Sequence, residues 1–76
     1  RLNFSFALAK AASVSLYIYN MNGQVVRQFS RYFTSGNGQL NWDGKDENGH
    51  QLPLGHYFYK LQTEDAVLSG KVLLVR

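Results

Sequence analysis

The sequence predicts an all-β domain, a small antiparallel sandwich, and three observations carry that prediction. Apolar residues recur at every second position in several separate stretches, the period of a strand with one buried face. Clusters of Gly, Asn, Ser and Asp break the chain at short intervals, as turns between antiparallel strands do. No stretch keeps a helical period for more than two turns, so a sheet has to be covered by another sheet. The 76 residues suffice for one core and leave no room for a second, so residues 1–76 are expected to form a single domain with no internal linker.

The elements follow in order. Leu2, Phe4, Phe6 and Leu8 alternate with Asn3, Ser5 and Ala7 in a half-buried first strand. After the small residues 9–12, Val14, Leu16 and Ile18 face one way, and Ser13, Ser15, Tyr17 and Tyr19 the other. Asn20, Met21, Asn22 and Gly23 make a reversal, with Asn-Gly supplying positive backbone dihedrals. A third strand is expected from about Gln24 to Tyr32. Ser35, Gly36, Asn37 and Gly38 read as turn formers, followed by a short strand with Leu40 and Trp42 on one face. Residues 43–55 hold three glycines and the single proline, too irregular for a helix and too long for a hairpin turn, and read as a structured loop. Tyr57, Tyr59 and Leu61 then alternate with Phe58, Lys60 and Gln62. Glu64 and Asp65 mark a reversal, and Val67 to Val75 form a closing strand. Its run Val72-Leu73-Leu74-Val75 suggests apolar surroundings on both faces. The expected core is Leu2, Phe4, Phe6, Val14, Leu16, Ile18, Leu40, Trp42, Tyr57, Tyr59 and Leu61. No internal repeat is apparent.

Composition narrows the function. A 45% hydrophobic and 17% charged balance excludes intrinsic disorder, and the eleven aromatics supply the large side chains that so small a core requires. The absence of cysteine rules out disulfides and thiolate metal sites. Net charge is +3, but Arg1, Lys10, Arg27, Arg31, Lys45, Lys60, Lys71 and Arg76 form no run, so no nucleic-acid partner is expected. No apolar stretch approaches the roughly 20 residues of a membrane-spanning helix.

The chemistry-bearing residues are sparse. His50 and His56 sit in or beside one loop with no nucleophile motif near them, which argues against hydrolysis, and no catalytic residue is assigned. The glycines at 36–38 and 44–49 precede no helix, so a phosphate cradle is not expected. Asp43, Asp46, Glu47 and Asn48 bring oxygen donors close together, but counted from Asp43 the sixth position is Asn48 where a calcium loop needs Gly. The favoured reading is that Asp43 and Asp46 accept backbone N–H groups in successive turns. No metal or cofactor is assigned. Trp42, at the end of a strand, is expected to anchor the loop, which Gly49 and Gly55 let turn sharply. Off the core face, Tyr17, Tyr19 and Phe58 are candidates for stacking on sugars, against the plainer alternative of cross-strand pairing.

The stretch Val14 to Val26, then Gly38 through Trp42-Asp43-Gly44-Lys45-Asp46, Gly49, Gly55-His56-Tyr57-Phe58-Tyr59-Lys60-Leu61 and the final Lys71 to Arg76, resembles the C-terminal sorting domain of type IX secretion cargo. It looks equally like the related Ig-like domain of the flagellar hook-capping protein. Its most specific piece is Trp-Asp-Gly followed by Gly and then Gly-x-Tyr; Gly55 and Tyr57 match the latter. The family often has Pro near the position of Ala9 and begins with an Asn-Pro-rich lead that this chain does not show.

The resemblance implies a non-catalytic Ig-like β-sandwich of six to seven strands, the C-terminal module of a larger exported protein of Bacteroidota-like bacteria. Its expected partners are outer-membrane secretion machinery proteins and a covalently linked upstream passenger domain. Its expected destination is the medium or the cell surface, reached through the periplasm. Lys71, Val72, Leu73, Leu74, Val75 and Arg76 match the family's last strand and basic terminal position; an expected edge and chain-end location offers this strand for recognition by strand addition, against the plainer alternative that it only closes the sandwich. The resemblance implies a structural loop of Trp42, Asp43, Gly44, Asp46, Gly49, Gly55 and Tyr57. The rival expectation is a structural Ig-like spacer or a carbohydrate-binding accessory module of a secreted enzyme.

Overall fold

A computed structural model describes residues 2–75. Six strands follow one another: β1 (Leu2–Leu8), β2 (Ala12–Tyr19), β3 (Val25–Phe33), β4 (Gly36–Trp42), β5 (Gly55–Gln62) and β6 (Val67–Leu74). β1 and β4 pair antiparallel in one sheet, and the other has the order β3-β2-β5-β6, also antiparallel throughout. The chain therefore changes sheet at each of the β1–β2, β3–β4 and β4–β5 connections. The sandwich expected from the alternation is present.

Parity sets which side chains meet between the sheets. β1 and β4 send Phe4, Leu40 and Trp42 inward, and the larger sheet sends Val14, Leu16, Ile18, Tyr57, Leu61 and Leu74; all nine are buried. Three aromatic pairs bridge the sheets: Phe4 with Tyr59 at 5.0 Å, Phe6 with Phe33 at 4.9 Å and Trp42 with Tyr57 at 5.4 Å between centroids. Tilted and edge-on geometries such as these suit the ring quadrupoles.

Four sequence expectations need correction. Leu2, Phe6 and Tyr59 are only partly buried, because a two-stranded sheet cannot cover all of a four-stranded one. The run at 72–75 is not enclosed on both faces: Val72 and Leu74 point inward, while Leu73 and Val75 stand 50% and 61% exposed. Leu74 is consequently a core residue that alternation within an all-apolar run did not single out. Gly38 is no turn former: β4 already begins at Gly36, and Gly38 lies opposite Phe6 in register. A methyl group on Gly38 would fall 2.5 Å from Phe6 Cε1 and 2.9 Å from the Phe33 ring, so its hydrogen makes room for that aromatic pair. At the β2–β3 reversal, Gly23 alone supplies a positive φ, of 83°, and Asn22 does not.

Candidate functional site

The 43–55 loop is held by its own short side chains. Asp43 Oδ1 accepts the Lys45 N–H at 3.0 Å, and Asp46 Oδ1 accepts those of Asn48 and His50 at 2.9 Å each. This is the turn-stapling role expected of both acids. The same five-residue device occurs at the β2–β3 reversal, where Asn20 Oδ1 accepts the N–H groups of Asn22 and Gln24. In both copies a backbone pair closes the turn, Asn20 with Gly23 and Asp46 with Gly49, and both glycines have φ near 83°. Against the expectation of no internal repeat, the segments Asn-Met-Asn-Gly-Gln and Asp-Glu-Asn-Gly-His are a short local one, too brief to stand out until the shared acceptor, Asn and Gly positions are aligned.

The rest of the loop is moored to the sandwich. Buried Trp42 donates its indole N–H to the Lys45 carbonyl at 3.0 Å, and Tyr57 donates its hydroxyl to the Pro53 carbonyl at 2.6 Å. Lys45 and Gln51 form an isolated antiparallel bridge, and the Leu52 N–H donates to the buried Gly44 carbonyl. Gly55 adopts a φ of 136° where the loop enters β5. The Asp46 carboxyl is held below its ordinary value, first by the His50 backbone N–H, with weaker help from the Asn48 N–H and the His50 side chain and against a desolvation penalty. His50 is itself largely exposed, with Nδ1 3.6 Å from Asp46 Oδ2. His56 lies exposed on β5.

Arg27 is the residue the sequence reading missed. Its register opposite Ile18 turns it toward the inner face of edge strand β3. There Nη1 donates to the Lys45 carbonyl at 3.1 Å and Asp43 Oδ1 at 3.2 Å, and more distantly to the Asp46 carbonyl. Glu47 completes the clasp, accepting the Gln28 backbone N–H at 2.9 Å and lying 3.7 Å from Arg27 Nε. The signal available in the sequence was parity: Arg27, Phe29, Arg31 and Phe33 alternate on one face, with each guanidinium over the next ring at 5.4 and 5.9 Å. Among the described residues no group of three or more His, Asp or Glu could hold a metal ion.

The other candidates lie elsewhere. Lys71 to Leu74 belong to β6, at the edge opposite β3, and Val75 follows it. Arg76 is outside the described residues. Lys71 and Leu73 face outward and are exposed, while Val72 and Leu74 face the core, so only part of the expected recognition strand is accessible. Tyr17, Tyr19 and Phe58 do come together on the outer face of the four-stranded sheet, where Tyr19 is opposite Phe58 and the Tyr17 and Tyr19 rings lie 6.5 Å apart, nearly parallel.

Comparison with known proteins gives a consistent answer. The chain is similar to FlgD from P. aeruginosa, whose crystal structure it matches with a TM-score of 0.72 and 28% sequence identity. The match covers 95% of this chain and 59% of that one, so the chain spans less than two thirds of that protein's length. No curated protein matches. The model of the FlgD Ig-like domain family matches residues 1–66, from the first strand through the reversal before β6. The chain therefore belongs to the FlgD Ig-like domain family.

Proposed function

We propose that this domain is a non-catalytic recognition module, held by a partner protein that adds a strand to the free edge of β6. The observation that carries the reading is the character of that edge. β6 ends the four-stranded sheet, runs for eight residues and leaves Val67, Leu68 and Leu73 between 50% and 59% exposed, with Lys71 its one charged residue. A long apolar edge strand is a template for strand addition, in which main-chain pairing supplies affinity and alternate side chains supply selectivity.

In its finer form, the partner belongs to the outer-membrane secretion machinery of the type IX system. The domain is then the sorting address of a passenger linked upstream, carried through the periplasm to the cell surface. The resemblance of the Trp-Asp-Gly and Gly-x-Tyr motifs to sorting domains supports this form. The family match favours a second reading, a structural Ig-like module within a longer chain.

A reporter fusion separates the two. The segment is fused behind a fluorescent periplasmic reporter in a type IX-competent bacterium, unaltered and with Leu73→Thr and Val75→Thr together. Deleting the last strand would be uninformative because it removes core residue Leu74. Surface delivery of the unaltered fusion, reduced several-fold by the paired substitution, is expected. A folded fusion retained in the periplasm sinks the sorting reading and leaves the structural one.

A further inference from the structure

The outer face of the four-stranded sheet has a composition that neither the family match nor the strand-edge reading uses. Register places Tyr19, Phe58 and Lys71 directly side by side across β2, β5 and β6, and Tyr17, Lys60 and Ser69 side by side in the next row. The Lys60 ammonium rests 4.9 Å over the Tyr17 ring, a cation–π contact that keeps the charge on the sheet surface instead of extended into solvent. Because that contact occupies Tyr17, the open aromatic surface is Tyr19 with Phe58, itself 37% exposed. Adjacent strands lie about 4.8 Å apart, which sets two ring faces next to each other on a spacing comparable with one sugar ring.

Charge is sorted with respect to this face. The five carboxylates are Asp43, Asp46, Glu47, Glu64 and Asp65, all in two loops. The first three are engaged around Arg27 and the turns, and Asp65 lies 3.8 Å from Lys10. Glu64 borders a different depression, which Ser15, Tyr17 and Tyr32 also line, so an acid approaches the Tyr17 side of the face but not the Tyr19–Phe58 side. The shallow depression around Tyr19 and Phe58 is bordered by Lys60, Ser69 and Lys71 and by no acid.

We infer that this face binds an acidic polysaccharide, with sugar rings stacked on Tyr19 and Phe58 and uronate carboxylates paired with Lys60 and Lys71. The inference deepens the sugar-stacking expectation for Tyr17, Tyr19 and Phe58 by giving the ligand a charge; it uses the outer face of the sheet and shares Lys71 with the β6 edge. A neutral glycan would bring no anion to Lys71, or to Lys60 beyond its contact with the Tyr17 ring. Single-stranded nucleic acid also stacks on aromatic platforms, but its backbone calls for a basic groove tracking several phosphates, and two lysines do not supply one.

Affinity electrophoresis of the 76-residue chain tests this in gels containing polygalacturonate or its fully methyl-esterified form, which keeps the sugar backbone and removes the charge. Strong retardation by polygalacturonate and little by the ester is expected. Lys60→Gln with Lys71→Gln should weaken it at least tenfold, and so should Tyr19→Ala with Phe58→Ala. Lys10→Gln with Lys45→Gln removes the same charge away from the face and should change it less than twofold. An equal loss in that control pair reduces the effect to net charge and overturns the proposal. Equal retardation by the ester overturns the acidic ligand while sparing sugar stacking, and no retardation in either gel overturns both. Tighter binding of oligo(dT) than of polygalacturonate reassigns the face to nucleic acid. Thermal melts establish folding; should the aromatic pair fail to fold, the lysine pair decides.

Discussion

The two edges of the four-stranded sheet are treated in opposite ways. At β3, Glu47 satisfies the Gln28 N–H, Arg27 reaches from the inner face into the loop carbonyls, and Arg31 adds a second inward charge. Inward charges and a covering loop are standard means of preventing unwanted strand pairing. At β6, Lys71 is the only charge and large apolar side chains stand in solvent. The guard covers the stretch around Arg27 and Gln28, while Val25 and Tyr32 elsewhere on β3 stay exposed, and β6 has no comparable cover among the described residues. On the proposed recognition reading, the less covered edge is the one that would take a partner strand.

The largest expected effect comes from removing the residue that joins the core to the guard. Trp42 is fully buried, faces Tyr57 edge-on and bonds the Lys45 carbonyl. Trp42→Ala should cost about 3–5 kcal/mol, a large share of the roughly 5–15 kcal/mol that holds a small domain together. It is expected to lower the urea midpoint steeply and to open the guarded β3 edge, leaving the sheet with two bare edges. Trp42→Phe retains a ring but not the indole donor, and should cost much less while loosening the loop. Equal losses in the two variants would mean that the loop contact, and not core filling, dominates at this position.

A middle-sized effect should separate the edges. Arg27→Met keeps an apolar stem against Phe29 and deletes the donors to Asp43, Lys45 and Asp46. Hydrogen bonds involving a charged group at a partly exposed site suggest a cost of about 1–2 kcal/mol. Hydrogen exchange should become faster at Gln28 and through residues 43–50 and should be unchanged in β6. Uniform acceleration across the sheet would show that Arg27 supports the whole fold, and the guarded edge would lose its separate identity.

The guard was only half legible in the sequence. The strands were readable because parity is a local property: Val14, Leu16 and Ile18 declare a buried face without reference to any neighbour. Asp43 and Asp46 were readable for the same reason, since a short acid among Gly and Asn commonly accepts the backbone N–H two residues on and forms a turn without help from distant chain. Arg27 was not, because its role depends on a register that sets it beside a loop sixteen residues away. Gly38 was misread on similar grounds. Its local company, Ser35 to Asn37, is that of a turn, whereas its function is to lie across from Phe6. At the open edge, an all-apolar run concealed the alternation that separates core Leu74 from exposed Leu73.

The smallest effect lies in the acidic limb of the stability curve, and it compares the two copies of the five-residue turn. Asn20 and Asp46 accept equivalent N–H groups, yet only Asp46 titrates. Its folded pKa lies below the ordinary 3.8, chiefly because the His50 N–H favours the carboxylate. A depressed acid contributes its stabilisation fully above the unfolded value and loses it as pH falls through the lower folded one. The melting temperature should therefore decline below about pH 4, with the 43–50 amides loosening before those of the Asn20 turn. Asp46→Asn makes the second turn chemically like the first: the Oδ1 acceptor stays and the charge goes. The variant should fold at neutral pH with a slightly lower melting temperature and a flatter acid limb. An undiminished acid limb would show that the Asp46 charge does not carry it, and the two copies of the turn would then be equivalent in acid as well as in geometry.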